Sequence, residues 1–266
     1  ENFSDDVGGV VLVHMSGLIT PEIIEIENFC KDNNLFLLTD DAHAYGASYF
    51  DEYRDRVRYA GSFGDAGVFS FYPSKIITTG EGGMITTNDD ELAKRCRVVR
   101  NHGTRRNDGE HQGLDYGYIC DMPSTNYRMS EFHSVLGIYQ NKHLSDFLIR
   151  RNQISEIYNE RLKDIKWLQT PLVDEFVYQT WWQYIVKITD GRDRTEILLK
   201  LLNDYNIPTA NAYQPLCHQQ EIYGDFLSEY GFKKSEDFIT KIFSLPMYVE
   251  LDNDQVNYIC DCMEKL

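Results

Sequence analysis

Lys75 closes the segment Gly64-Asp65-Ala66-Gly67-Val68-Phe69-Ser70-Phe71-Tyr72-Pro73-Ser74-Lys75. Two further segments frame it: Asp40-Asp41-Ala42-His43-Ala44-Tyr45-Gly46-Ala47 before it, and Gly80-Glu81-Gly82-Gly83 after it. A lysine at a strand end, its pKa lowered by burial, can form a Schiff base with a carbonyl cofactor. A carboxylate opposite, such as Asp40, could keep a pyridinium nitrogen protonated and so make the ring an electron sink. Ser70 and nearby backbone N–H groups could accept a phosphate. Taken singly, each residue has an ordinary role. Asp40 reads as a turn or cap carboxylate, Lys75 as a solvated surface lysine, and His43 as a satisfied polar residue beside a loop. Together they permit a cofactor lysine without requiring one.

The surrounding elements are those that could position such a set. Val10 to Met15 is an apolar run, and Pro21 opens a helical stretch whose apolar face is Ile23, Ile24, Ile26, Phe29 and Cys30. Asn33-Asn34 ends it, and Leu35 to Leu38 begins a buried strand that stops at Asp40. Strand, helix and strand in so short a span make a βαβ unit with parallel strands, and ligands bind beyond the carboxyl ends of such strands. Gly67 to Phe71 and Gly83 to Thr87 read as two more strands, with Asn88 as N-cap of a helix over 89–100. Asp51 to Arg58 reads as a charged surface loop, and 101–128 as irregular. Ser130 to Leu162 predicts one long or kinked helix, with Phe132, Val135, Leu136 and Tyr139 on one face and a polar break around 141–145. Beyond it, 181–188 is strand-like, 195–205 helical, 209–213 extended and 255–263 a closing helix. The expected division is a large domain over 1–140 and a smaller α+β domain over 141–266.

The chain has 266 residues, 26 Lys+Arg and 42 Asp+Glu, giving a formal charge of −16. That balance argues against a nucleic-acid or anionic-membrane partner, which needs a positive working face. Hydrophobic residues make up 42%, enough for a packed core, and the apolar runs are too short for a membrane span. Six widely spread cysteines without a CxxC pair point to reduced thiols and a cytoplasmic setting, not to zinc or a disulfide scaffold.

The three segments, in that order, resemble the DegT/DnrJ/EryC1/StrS family of sugar aminotransferases, of PLP fold type I. Val13-His14-Met15-Ser16-Gly17, Arg100-Asn101-His102-Gly103, Asn126-Tyr127-Arg128-Met129-Ser130-Glu131, Pro215-Leu216-Cys217-His218 and Leu245-Pro246-Met247-Tyr248 extend the resemblance to nearly the whole chain. It implies an α/β fold: a mostly parallel-sheet large domain, incomplete at its N-terminus, plus the smaller α+β domain. Family members carry a longer N-terminal segment, which implies that this chain is a fragment or a truncated enzyme.

The resemblance further implies that Lys75 is the Schiff-base lysine for pyridoxal 5′-phosphate (PLP, or PMP in the aminated form). Asp40 would partner the pyridine nitrogen, His43 the ring and its phenolic oxygen, and Ser70 the phosphate. Asn126 lies in the segment that reaches the cofactor phosphate of a neighbouring subunit, which implies a homodimer with shared sites. His14, His102, Tyr213 and His218 are weaker candidates for the substrate side. Arg105, with Arg100, Arg106 and Arg128, could counter the charge of a sugar diphosphate, or simply solvate a loop. The implied reaction moves an amino group from an amino acid, L-glutamate above all, to a keto-sugar nucleotide. Rival readings are a PLP- or PMP-dependent sugar dehydratase, in which the lysine is replaced, a non-sugar ketone acceptor, and a non-catalytic fragment.

Overall fold

The computed structural model describes residues 7–105, 119–172, 174–210, 213–223 and 231–266, with the backbone alone at 105 and 119. The chain divides into two compact units, Glu1–Leu144 with Phe176–Tyr178, and Ser145–Glu175 with Gln179–Leu266.

The first unit begins with β1 (Gly9–Val13), α1 (Ile23–Asp32) and β2 (Phe36–Asp40). β1 and β2 pair in parallel, with Val13 opposite Asp40, as the βαβ pattern predicts. α1 buries Ile23, Ile24 and Cys30 against the sheet, while Phe29, expected on that face, is 47% exposed. Burying one such isoleucine contributes about 1.5–3 kcal/mol. The helix stops at Asn33, and Asn34 takes the left-handed conformation (φ 53°) that asparagine tolerates.

Next come β3 (Ser48–Asp51) and β4 (Arg56–Tyr59), an antiparallel hairpin where the charge pattern predicted a surface loop. Residues 52–57 are exposed, as a surface loop would be, but the buried charges Asp51 and Arg58 that flank them are paired. Arg58 Nη1 pairs with Glu27 of α1 at 2.7 Å, Arg54 with Asp51 at 2.8 Å, and the Arg58 guanidinium lies 4.1 Å over the Phe63 ring. Asp51 is fully buried, which is tolerable only because it is paired.

β5 (Ala66–Ser70) joins β2 in parallel, and β6 (Gly83–Thr86) joins β5 antiparallel, giving the order β1-β2-β5-β6. Gly67 is required where β5 passes the next loop: a Cβ there would stand 2.5 Å from Gly61 Cα and 2.7 Å from Asp41 Oδ2. α2 (Asp90–Arg100) follows, capped by Asp89 and not by the expected Asn88. The Asp89 carboxylate accepts from the Glu91 and Leu92 amides at 2.8 and 3.0 Å. The short strands β7 (Thr104–Arg105) and β8 (Ile119–Cys120) pair antiparallel. The expected long helix is two: α3 (Glu131–Lys142) and α4 (Leu144–Leu162), parted at His143.

The second unit takes up α4, β9 (Leu168–Gln169), β11 (Tyr184–Ile188), α5 (Arg194–Tyr205), α6 (Lys233–Ile239), β12 (Ile242–Leu245) and α7 (Asn253–Glu264). Between β9 and β11, β10 (Val177–Tyr178) belongs instead to the first unit, where it pairs with β3. The sheet order β12-β11-β9 is antiparallel throughout. Tyr158, Tyr184, Leu201, Phe243, Val256 and Met263 form the centre of its core, each fully buried. Of the stretch expected to be extended over 209–213, Ala210 bridges Ser244, and 211–212 lie outside the described residues. Arg151 is buried and donates to the carbonyls of Trp181 and Met247 at 2.8 and 3.3 Å.

Among the described residues no helix is long and apolar enough to cross a membrane. The six cysteines are free thiols.

Candidate active site

The carboxyl ends of β1, β2 and β5 lie side by side, and the sequence-predicted residues gather there. Asp40 is the last residue of β2. Its carbonyl accepts the His14 amide at 3.0 Å, and its Oδ1 accepts the Ala42 amide at 3.0 Å. One carboxylate oxygen is therefore fixed by the backbone just beyond the strand, and the orientation of the other follows from it.

His43 is buried, and its Nδ1 accepts the Ser16 amide at 3.3 Å. Ser16 holds a left-handed backbone (φ 58°) to present that N–H. Burial, reinforced by the charge of Lys75, pulls the His43 pKa down to about 4. The ring is then neutral at pH 7 with Nδ1 as acceptor, so the ring proton sits on Nε2.

Lys75 stands on the loop between β5 and β6. That loop is pinned shut by Phe71 N–H donating to the Gly82 carbonyl at 2.9 Å and Thr79 N–H donating to the Phe71 carbonyl at 3.0 Å. Ile76 and Ile77, both buried, anchor its far side. Partial burial lowers the Lys75 pKa, and Asp40 opposes that shift. Lys75 therefore lies within electrostatic reach of both Asp40 and His43. Ser70 ends β5, and its Oγ accepts the Tyr72 amide at 3.3 Å. Tyr45 packs edge-on to Phe69 and Phe71, at 5.3 and 5.4 Å between ring centroids, and donates through its hydroxyl to Asn141 Oδ1 at 3.0 Å.

The other predicted residues lie on other segments of the chain. Asn126 bridges Asn101 beside the C-terminus of α2; its Oδ1 accepts the Arg128 amide at 3.0 Å, and the Arg128 guanidinium donates to Asn101. His102 is exposed in the adjoining turn, with its amide on the Thr125 carbonyl at 3.1 Å. The side chain of Arg105 and the whole of Arg106 lie outside the described residues. Tyr213 and His218 belong to the second unit, where His218 pairs with Glu236 at 3.0 Å and stacks on Phe232. His14 is buried at 1% exposure and faces Asp41.

Two contributors were not read from the sequence: the Ser16 amide on His43 and the Ala42 amide on Asp40. Both are backbone groups, which carry no residue-type signal.

The donor set suits a phosphorylated pyridine aldehyde: an amine of lowered pKa, a carboxylate, a neutral imidazole N–H and a strand-end hydroxyl. The sequence profile of the DegT/DnrJ/EryC1/StrS aminotransferase family matches residues 4–264. The chain belongs to the DegT/DnrJ/EryC1/StrS aminotransferase family. Aminotransferases of this family are PLP-dependent. The chain is 30% identical to the spore coat polysaccharide biosynthesis protein SpsC of Bacillus subtilis, over 97% of this chain and 66% of that one. It is 29% identical to a GDP-perosamine synthase of Escherichia coli O157:H7, over all of this chain and 67% of that one. Among solved structures, Helicobacter pylori PseC, an aminotransferase involved in the biosynthesis of pseudoaminic acid, superposes with a TM-score of 0.87. The identity there is 26%, and the match covers 99% of this chain and 68% of PseC. The chain thus spans about two thirds of the length of these DegT-family relatives.

Proposed function

We propose that this chain carries the PLP-binding and proton-transfer residues of a sugar aminotransferase, which moves an amino group from an amino-acid donor, L-glutamate above all, to a keto-sugar nucleotide. The observation that carries the reading is the placement of Asp40 at the end of β2, with His43 and Lys75 on the segments that follow the parallel strands β2 and β5. The sugar-nucleotide class rests on the names of the relatives.

When bound, PLP supplies an electron-withdrawing ring that stabilises negative charge developing on the carbon beside the transferred nitrogen. Lys75 would hold the cofactor covalently through Nζ and, once displaced by the donor amine, move a proton to and from that carbon. Its lowered pKa suits this task, because a base must be unprotonated for part of the cycle. Asp40, with Oδ1 held by the Ala42 amide, would keep a proton on the ring nitrogen through Oδ2. His43 would orient the ring's phenolic oxygen from Nε2–H. Ser70 would donate its hydroxyl proton to the phosphate, because its oxygen already accepts from the Tyr72 amide. Asn126 would serve a neighbouring subunit's cofactor in a homodimer, an assembly that the exposed apolar side chains of α3 support. His102, Arg105, Tyr213 and His218 remain proposals for the substrate side. The unpaired thiols fit a reducing cytoplasmic setting.

The test is the visible absorbance of the protein incubated with PLP, before and after L-glutamate, with Lys75→Ala alongside. The reading expects a band that glutamate bleaches and that Lys75→Ala lacks. A band of equal strength in Lys75→Ala would remove Lys75 from its role.

A further inference from the structure

Asp41 and His14 take no part in the chemistry above, yet they are among the most buried polar residues of the first unit, at 0% and 1% exposure. The parallel register that sets Val13 opposite Asp40 brings the next two residues, His14 and Asp41, together. Strand alternation turns both to the face covered by α1, opposite to the Asp40 carboxylate. His14 Nε2 stands 3.7 Å from Asp41 Oδ1. Among the described residues, neither ring nitrogen of His14 nor Oδ1 of Asp41 has a hydrogen-bond partner. The second oxygen of Asp41 accepts Thr39 Oγ1 at 2.7 Å, and Phe63 lies edge-on to the imidazole at 6.5 Å. Two buried ionisable groups with unmet polar atoms face each other.

We propose that His14 and Asp41 hold one proton between them, and that this pair is a positioning element behind Asp40, setting the charge that reaches Asp40 from the far face of the sheet. Burial pushes the Asp41 carboxyl up to about 6, against hydrogen bonds from Thr39 and the Gly61 backbone and with the charge of Asp40 adding to it. Burial pulls His14 down to about 4, against the charge of Asp40. Asp40 is the charged neighbour acting on both. The other charges on this side, Glu27 of α1, Asp51 of β3, Arg58 of β4 and Arg54, balance one another around Phe63. In the folded chain between those limits the proton rests on Asp41; in the unfolded chain it rests on the histidine.

The consequence for stability is a cancellation. A folded Asp41 binds a proton that the unfolded carboxylate has lost, so its contribution is present at low pH and fades as pH rises toward about 6. A folded His14 lacks a proton that the unfolded imidazole carries, so its contribution fades as pH falls toward about 4. With both present, folded and unfolded chains bind one proton each and the slopes cancel. Above about 6 the pair carries one negative charge, which would favour a proton on a ring nitrogen bonded to Asp40; this last effect rests on the reading of Asp40 given above.

Urea unfolding of the chain without cofactor, between about pH 4.5 and pH 6, tests the pair in His14→Gln and Asp41→Asn. Relative to the parent, the folded-to-unfolded ratio of His14→Gln should fall roughly tenfold per unit as pH rises, and that of Asp41→Asn should rise roughly tenfold per unit. Parallel slopes in all three proteins would overturn the pair. Should a variant not fold, NMR titration of the folded parent decides. A neutral His14 ring with Asp41 taking up its proton near pH 6 supports the pair, whereas a His14 ring protonating at its ordinary pH above an ionised Asp41 sinks it. Coupling is reciprocal, so Asp40→Asn should lower the Asp41 midpoint, and an unmoved midpoint would sever the pair from Asp40. None of these measurements needs bound PLP, so failure to bind PLP would touch the reading of Asp40 and leave the pair standing.

Discussion

The two units close their cores to different degrees. In the second, α4 buries Leu148, Ile154, Tyr158 and Leu162, and α7 buries Val256, Ile259 and Met263, against one antiparallel sheet. In the first, α2 and α3 bury no residue. Phe132 is 89% exposed, and Val135, Ile138 and Tyr139 are exposed beside it, as are Val11 on β1 and Ile85 on β6. A helix face of that kind forms by the same periodicity as a buried one, and only its partner surface differs. The amphipathic pattern therefore locates a face that wants cover, and the second unit has that cover within itself. Exposed apolar side chains in such concentration mark interaction surfaces.

Substitutions can break this contrast. Phe243→Ala, in the closed core, should cost about 3–5 kcal/mol, read as a lower urea midpoint with β11 and β12 losing amide protection together. A cost below about 1 kcal/mol would mean that the second unit is looser than its burial indicates. Next in size is the cap of α2, which owes little to packing: Asp89→Ala should cost about 1 kcal/mol, and Asp89→Ser should restore most of it. Smallest is Phe132→Ser, expected to change the stability of the lone chain by no more than about 0.5 kcal/mol. The same change should alter self-association in sedimentation velocity if α3 is an interface. A large loss of monomer stability would show instead that Phe132 is already packed.

Element order was legible because apolar runs and caps report directly on the pleat and the helix. The strand ending at Asp40, the helix holding Ile23 and Ile24, and the break near His143 follow from period and polarity alone. What stayed hidden depends on contacts between distant residues. Arg58 looks solvated in sequence because its partner Glu27 lies 31 residues away on α1. Phe29 fits the helical stripe, yet α1 turns it outward. At the site, Lys75 and Asp40 stood out by type and position and His43 only through the family resemblance, whereas the Ser16 amide that orients His43 has no residue signature. His14 looked like a substrate-side imidazole until the register placed it beside Asp41.

The return of β10 to the first unit also sets an order of events in time. Phe50 donates its amide to the Phe176 carbonyl at 2.8 Å, and Tyr49 pairs with Val177, across more than a hundred intervening residues. A nascent chain that has emerged only as far as α3 holds Asp40, His43 and Lys75 but not the strand that completes the β3–β4 sheet. The hairpin must wait, with one edge bare, while the ribosome adds the whole of α4 and β9. Interrupting synthesis between α3 and α4 would therefore leave the first unit without the strand that pairs with β3.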